Sequence, residues 1–344
     1  MPDLSVVICS LNGEEGIDRT LHAVARQTIR AQIEVIVVDD GSTDATAAVA
    51  RSHGARVERH AVNRGLAAAR NTGVRAATGP VVAFLDDDCE PAPDWAEKLL
   101  GGYRDDVAGV GGCVVPVGAS SVFGRYLERH NPLSPIEADL ARSERPGYRL
   151  WRYLVRAWRD PRPSGARDVY SLVGANMSYR RDVLVEAGMF DERFTFGAEE
   201  VDACRRIRRV RPDLRLVIEP SSSVMHHFDA SLRDTLRRSR AYGRGSARLF
   251  RNWPGSAPTC FPLPILVTGL LAAGTRRPGA LVAAAVAPNL LWPSGVLDAV
   301  RNRRPERLMD AYVHLAREAA DDVGFAEGLW RYRNLRPVLA GGDS

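Results

Sequence analysis

Five apolar residues, Val81, Val82, Ala83, Phe84 and Leu85, run directly into three aspartates, Asp86, Asp87 and Asp88. Pro91 and Pro93 follow and punctuate the stretch. A continuous apolar run of this length reads as a strand covered on both faces, which belongs in a parallel sheet. In open α/β sheets the carboxyl ends of the strands form the crevice where ligands bind. Three adjacent carboxylates repel one another. A divalent cation that prefers oxygen ligands, Mg²⁺ or Mn²⁺, offsets that repulsion. A solvated acidic turn is the other reading of the same spacing.

The preceding residues repeat the pattern. Apolar runs at 4–9 and 34–39 end in polar turns, Ser10-Leu11-Asn12-Gly13 and Asp40-Gly41-Ser42-Thr43-Asp44. A third strand is expected at 56–60. Helical periodicity follows the first run over 15–27, with Ile17, Leu21, Val24 and Ala25 on one face. Ser42 or Thr43 is placed to cap a second helix through His53, and Arg64-Gly65 opens an Ala-rich third helix to about residue 77. Strand and helix alternating through short turns predict a sheet with right-handed crossovers. The segment 10–16, SLNGEEG, lacks the G-x-G-x-x-G turn of a dinucleotide-binding fold, and no Walker loop is present. Phosphate charge would then have to be met by a metal at Asp86 to Asp88.

The 344 residues suffice for one large or two modest domains, with 45% hydrophobic and 26% charged residues, as in ordinary globular proteins. The net charge of +5 raises nucleic acid or an anionic membrane as partners. The basic residues are spread along the chain and are nearly all arginine, Lys98 being the only lysine. No nucleic-acid motif accompanies them. Cys9, Cys89, Cys113, Cys204 and Cys260 have neither metal-ligand nor redox spacing, so a reducing cytoplasm is expected. No charged lead precedes an apolar run at the start, so no secretory signal is expected.

Residues 118–167 are rich in Arg, Pro and aromatics. Prolines 132, 135, 146, 161 and 163 are expected to break them into short pieces. Tyr126, Tyr148, Trp151, Tyr153 and Trp158 suit either stacking on sugar faces or packing over the sheet. A strand is expected at 168–172, then Gly174-Ala175-Asn176-Met177 and a helix to 187. Glu199, Glu200 and Asp202 sit at a helix start, where the dipole alone favours acids. A strand is expected at 214–219, and residues 221–225 lead into His226-His227, with His226 placed just after a strand. Arg233, Arg237, Arg238, Arg240 and Arg244 lie on a helix over 231–251, facing either an anionic membrane or water. Apolar runs at 261–274 and 279–297 are interrupted by Arg276-Arg277-Pro278, and neither is a clean span of about 20 residues. A membrane-embedded hairpin and a buried helical pair both fit, followed by a charged helical tail over 301–333.

Taken in order, VVICSLNGEE, EVIVVDDGSTDAT, NRGLAAARNTGVRAATGPVVAFLDDDCEP and the series GANMSYRR, GMFDERF and GAEEVD resemble family 2 glycosyltransferases of the GT-A fold. The likeness is close over about the first 110 residues and resumes at 174–228. It implies an α/β fold: a Rossmann-like, mostly parallel sheet flanked by helices, with a helical C-terminal extension. The expected domains are 1–228, with a nucleotide-sugar half at about 1–117 and an acceptor half at about 168–228, and a helical region at 229–344.

The resemblance also implies roles. Ser10, Asn12, Asp40 and Arg64 would hold the nucleotide, with Asp39 supporting Asp40. Asp88, Asp86 and His226, preferred to His227, would hold Mn²⁺ or Mg²⁺, and Asp87 would reach the ribose. Gly174, Asn176 and Met177 would line the acceptor side. Glu200 stands where the family usually has Asp as general base, which leaves Glu200 and Glu199 both open as the proton acceptor. The implied reaction is inverting, metal-dependent transfer from a nucleotide-diphosphate sugar to a hydroxyl on a glycan, lipid-linked or small-molecule acceptor. No nucleic-acid partner is expected, and the implied place is the cytoplasm, at the inner face of the cell membrane. A nucleotide-sugar-binding module without turnover is the alternative.

Overall fold

The computed structural model describes residues 2–29, 32–117, 121–131, 133, 145–158, 165–194, 196–228, 231–254 and 261–335. Pro132, Pro135, Pro161, Pro163 and Cys260 lie outside them. Nine strands form one sheet: β1 (Leu4–Ser10), β2 (Ile33–Asp39), β3 (Arg56–Arg59), β4 (Val81–Asp86), β5 (Cys89–Pro91), β6 (Val107–Val117), β7 (Arg167–Val169), β8 (Asn176–Arg180) and β9 (Arg215–His227). The order is β3-β2-β1-β4-β8-β6-β9-β5, with β7 beside β9. β1 to β4 are mutually parallel, as their apolar runs predict. β8 then enters antiparallel to β4 and β6, and β6 runs parallel to β9. β6 was not foreseen, although VAGVGGCVVPV is an apolar run.

The period-two alternation of a strand sorts side chains onto two cores. Leu4, Val6, Ile8, Ala83 and Leu85 face one core with Trp95, and Val7, Ile36, Val82 and Phe84 face the other with Tyr179 and Phe190. Phe84 meets Phe190 edge to face at 5.3 Å. The flanking helices are α1 (Glu14–Ala25), α2 (Thr46–Ser52), α3 (Leu66–Ala76), α4 (Trp95–Gly101), α7 (Arg181–Glu186) and α8 (Glu199–Val210). Gly73 in α3 lies against Val7, where a Cβ would overlap the valine methyls, so helix and sheet approach closely.

The chain divides into two compact units, one from 1–119, 127–142 and 163–228, the other from 120–126, 143–162 and 229–344. The second unit contains α9 (Leu232–Asn252), α10 (Pro262–Gly274), α11 (Gly279–Leu291), α12 (Pro293–Asn302), a 3₁₀ turn (Pro305–Met309) and α13 (Asp310–Arg331). Two helices also form where broken pieces were expected, α5 (Val122–Arg129) and α6 (Pro146–Trp158). The aromatics there part company. Tyr126 and Tyr153 are buried, whereas Trp151 and Trp158 are exposed. Tyr153 donates its hydroxyl to Glu318 at 2.9 Å and accepts from Trp292 Nε1 at 3.1 Å. That bonding makes Tyr153 part of the helical core rather than a sugar platform.

Four of the five α9 arginines singled out from the sequence are held in ion pairs, so these do not form a free cationic face. Arg237 and Arg238 pair with Asp234, and Arg240 and Arg244 pair with Glu327. Among the described residues, no single helix is long and apolar enough to cross a membrane.

Candidate active site

β4 delivers Asp86, Asp87 and Asp88 to the edge of the sheet, half-buried. β5 leaves at once and pairs antiparallel with the end of β9, Cys89 opposite His226. That pairing brings the two distant motifs together. His226 Nε2 lies 3.2 Å from Asp88 Oδ1 and 3.5 Å from Asp86 Oδ2. The His226 ring is buried and stacked on Phe228, with centroids 4.1 Å apart. His227 turns away to Glu90, at 2.6 Å. Asp88, Cys89 and His226 each bring a ligand atom within 4.8 Å of the others, and Asp86 lies beside the same imidazole nitrogen; the carboxylates and the imidazole are donors that fit Mn²⁺ or Mg²⁺.

Asp87 points elsewhere. Its carboxylate accepts from the Ser10 hydroxyl, and Thr20 Oγ1 donates to its backbone carbonyl at 2.9 Å. Burial pushes the Asp87 carboxyl up to about 7; Asp88 and Asp86 add to the rise, and the Ser10 hydrogen bond opposes it. A Cβ on Gly13 would overlap both Asp87 Oδ2 and Ser10 Oγ, so a side chain here would displace this hydrogen-bonded pair.

The second strand tip is braced internally. Asp40 is buried and accepts from the backbone N–H groups of Arg64, at 2.9 Å, and Gly65, at 2.8 Å, while His60 Nδ1 lies 2.6 Å away. Its two oxygens therefore hold the 60–65 loop in place. Asp39 accepts from the Ser42 backbone at 2.7 Å and meets Arg59 at 3.0 Å. Exposed Asn12, at φ 55°, accepts from the Thr43 backbone at 2.8 Å. Arg64 reaches Glu192 at 3.1 Å.

Gly197 and Ala198 both have positive φ, 79° and 68°, and turn the chain sharply into α8. An alanine in that region is strained, a feature concentrated at functional sites. The turn sets Glu199 and Glu200 in the first turn of α8 with different surroundings. Glu199 is buried and receives Arg70 Nη1 at 2.6 Å. Glu200 is half-buried, and burial with the neighbouring Glu199 charge pushes its carboxyl up to about 8, Arg70 opposing.

Arg70 is the functional residue that sequence reasoning missed. It is buried, donates to Gly174 O at 3.3 Å, lies 3.9 Å from Asp86 and sits 5.6 Å from the Phe190 ring centre. Burial opposes its charge, but Glu199 and Asp86 more than offset that and hold the guanidinium above its usual range. The signal was an arginine on the inward face of an Ala-rich helix, a place where an unpaired charge is excluded.

The acceptor-side expectation needs correcting. β8 lies between β4 and β6, so both its edges are paired, and successive residues Asn176 to Tyr179 are all buried, so both its faces are covered. Asn176 and Met177 are fully buried there. Asn176 accepts from Trp95 Nε1 at 2.9 Å and donates to Cys113 O at 3.1 Å and Ser222 O at 3.0 Å. It staples strands together and has no group left for a ligand. Gly174 instead gives room to Arg70, whose Nη2 a Cβ would crowd.

A sheet of this order, with an aspartate cluster at the tip of β4 and acids opening α8, defines the GT-A class of fold. The family described as Glycosyl transferase family 2 matches residues 5–187, and the chain belongs to it. The chain is 32% identical over 277 residues to a pre-mycofactocin glycosyltransferase of Mycobacterium tuberculosis, covering 78% of this chain and 50% of that protein. It spans about half the length of the curated relatives it matches. Among solved structures, the mannosyltransferase PcManGT of Pyrobaculum calidifontis, in complex with GDP-Man and Mn²⁺, superposes with a TM-score of 0.58 at 22% identity. That match covers 96% of this chain and 88% of the other. GalNAc-T7 with UDP, GalNAc and Mn²⁺ gives a TM-score of 0.50 at 20% identity, covering 74% and 48%. At these identities the two structures bear on the fold alone.

Proposed function

We propose that the chain transfers a sugar from a nucleoside-diphosphate sugar to an acceptor hydroxyl, with inversion, using Mn²⁺ or Mg²⁺ held by Asp86, Asp88 and His226. The observation that carries this reading is the convergence of those three side chains, within 3.5 Å of the His226 nitrogen, from strands far apart in sequence. The Mn²⁺ named with both similar structures, with GDP-Man in one and UDP and GalNAc in the other, supports it. When bound, the cation supplies Lewis-acid stabilisation to the departing diphosphate.

The chain's own residues supply the rest. Ser10 and Gly13 fix Asp87 at the ribose side. Asn12, Asp40 and Arg64 border the nucleotide, Asp40 by holding the 60–65 loop. Arg70 holds Glu199 as a fixed anion. Glu200, raised toward neutrality, takes the acceptor proton as its oxygen attacks the anomeric carbon. One base and one displacement invert that carbon. The reaction is placed in the cytoplasm at the inner face of the cell membrane, on a glycan, lipid-linked or small-molecule acceptor.

A panel of nucleotide-sugars, screened by thermal shift with Mn²⁺ or with chelator, identifies the donor. NMR of the product then reads its anomeric configuration. Retention of configuration refutes the single displacement. Unchanged donor binding and turnover after chelation, together with Asp88→Ala, refutes the metal.

A further inference from the structure

The exposed apolar side chains of the described residues are concentrated in one place. Of 25 large hydrophobic residues that are exposed, nine fall between 262 and 302. Seven of them stand on α10 and α11, among them Ile265, Leu266, Leu281, Val282 and Leu290; Ile265 is 62% exposed and Leu290 69%. These two helices contain no charged residue. They pack on each other and on α13, with Leu263, Val267, Ala284 and Ala287 turned inward. A helix that covers a soluble core is apolar on one stripe and polar opposite; these are apolar all round.

Cations flank this patch. Arg276 and Arg277 occupy the bend between the helices, Arg301 stands in the last turn of α12, and Arg303 and Arg304 follow it. All five are exposed, and none forms a salt bridge among the described residues. The α9 arginines, by contrast, are mostly tied to Asp234 and Glu327. Unneutralised arginines at the borders of an uncharged apolar face complement a surface of anionic lipid headgroups over hydrocarbon.

Length decides the manner of contact. α10 and α11 each have 13 residues, about 20 Å, against a hydrocarbon core of about 30 Å, and although α11 and α12 together have the length and composition of a span, they bend by 74° where they join. A tip-first entry would also carry Arg276 and Arg277 into hydrocarbon, which is costly. We infer that α10 and α11 lie in the plane of an anionic bilayer, their outer apolar side chains below the headgroups and the arginines at phosphate level. This rests on the reading that the chain works at a membrane, and it names the segment and the lipid charge that bring it there.

The test is co-sedimentation of the full chain with vesicles of phosphatidylcholine alone or with phosphatidylglycerol added. Binding is expected to favour the anionic vesicles and to weaken with salt. Arg276→Glu with Arg277→Glu is expected to lower partition by roughly fivefold or more per residue changed. Ile265→Ser, Leu281→Ser and Leu290→Ser together are expected to lower it at least about tenfold. Hydrogen exchange of the unaltered chain is expected to show vesicle-dependent protection of α10 and α11, a readout that needs no variant to fold. No vesicle binding by the unaltered chain overturns the membrane reading itself. Binding that survives both variants, or protection confined to other helices, overturns the assignment to this hairpin. So does a lipid-free dimer that the serine variant splits while vesicle binding is unchanged, since the face would then meet a second copy.

Discussion

The guanidinium of Arg70 meets the carboxylate of Glu199 at 2.6 Å, with both side chains almost fully buried, and the same guanidinium lies 3.9 Å from Asp86. One residue of α3 thus couples the tip of β4 to the first turn of α8. Removing one partner of a buried pair leaves the other as an uncompensated charge, which costs about 3–5 kcal/mol. Arg70→Ala is expected to lose stability in that range, measured by urea unfolding. In a double-mutant cycle, Arg70→Ala with Glu199→Gln should cost much less than the two single losses summed. Equal additivity would show that the pair carries no coupling.

Glu200 is expected to behave differently from its neighbour. Glu200→Gln should lower kcat by about 10²–10⁴ while donor affinity, read by calorimetry, is kept. The pH sign follows from the raised carboxyl. A proton acceptor must be empty, so turnover should fall as pH drops below about 8. Stability runs the other way: the folded state holds this proton more tightly than the unfolded state, whose carboxyl sits near 4.5. Stability should therefore decrease as pH rises from about 4.5 to about 8, and Glu200→Gln should flatten that slope. Identical pH profiles for variant and parent would assign the base elsewhere.

The parallel half of the sheet was legible because buried strands announce themselves as apolar runs with polar tips, and β1, β2 and β4 are of this kind. That Asp86, Asp88 and His226 lie together in space was expected from the resemblance, whereas their neighbours Asp40 and His227, equally at strand ends, turn out to make structural contacts. Arg70 was hidden, since one arginine in LAAARNTGVRA looks like a solvent-facing residue until the helix is docked. Asn176 and Met177 misled for the opposite reason. Their motif is a packing device, Asn176 bridging Trp95, Cys113 and Ser222, and nothing local distinguishes that from a ligand contact. On α9, Arg240 and Arg244 were illegible because their partner, Glu327, lies 87 and 83 positions away, whereas Arg237 and Arg238 pair with Asp234 of the same helix.

Cation affinity should depend on the three converging side chains and not on their neighbours. His226→Ala and Asp88→Ala are each expected to weaken Mn²⁺ binding on the order of 100-fold or more, since even groups that only orient a ligand are worth 10–100-fold. His227→Ala, which removes only the Glu90 contact, should leave Mn²⁺ affinity within about twofold. Calorimetric titration of Mn²⁺ into each variant makes the comparison. Loss of affinity in His227→Ala, with His226→Ala unaffected, would reverse the ligand assignment.

The helical unit offers a test independent of the site. α9 and α13 touch backbone to backbone at two glycines. A Cβ on Gly243 would overlap Asp321 O and Phe325 N, and one on Gly324 would overlap Arg240 O. Backbone cannot yield as a flexible side chain does, so added methyl groups must force the helices apart. Gly243→Ala and Gly324→Ala are each expected to cost about 1–3 kcal/mol, although alanine favours the helix by up to about 1 kcal/mol. Thermal unfolding should show the loss, and the Mn²⁺ titration should be unchanged, since every proposed ligand lies in the other unit. A neutral or stabilising Gly243→Ala would mean that the two helices are farther apart than described.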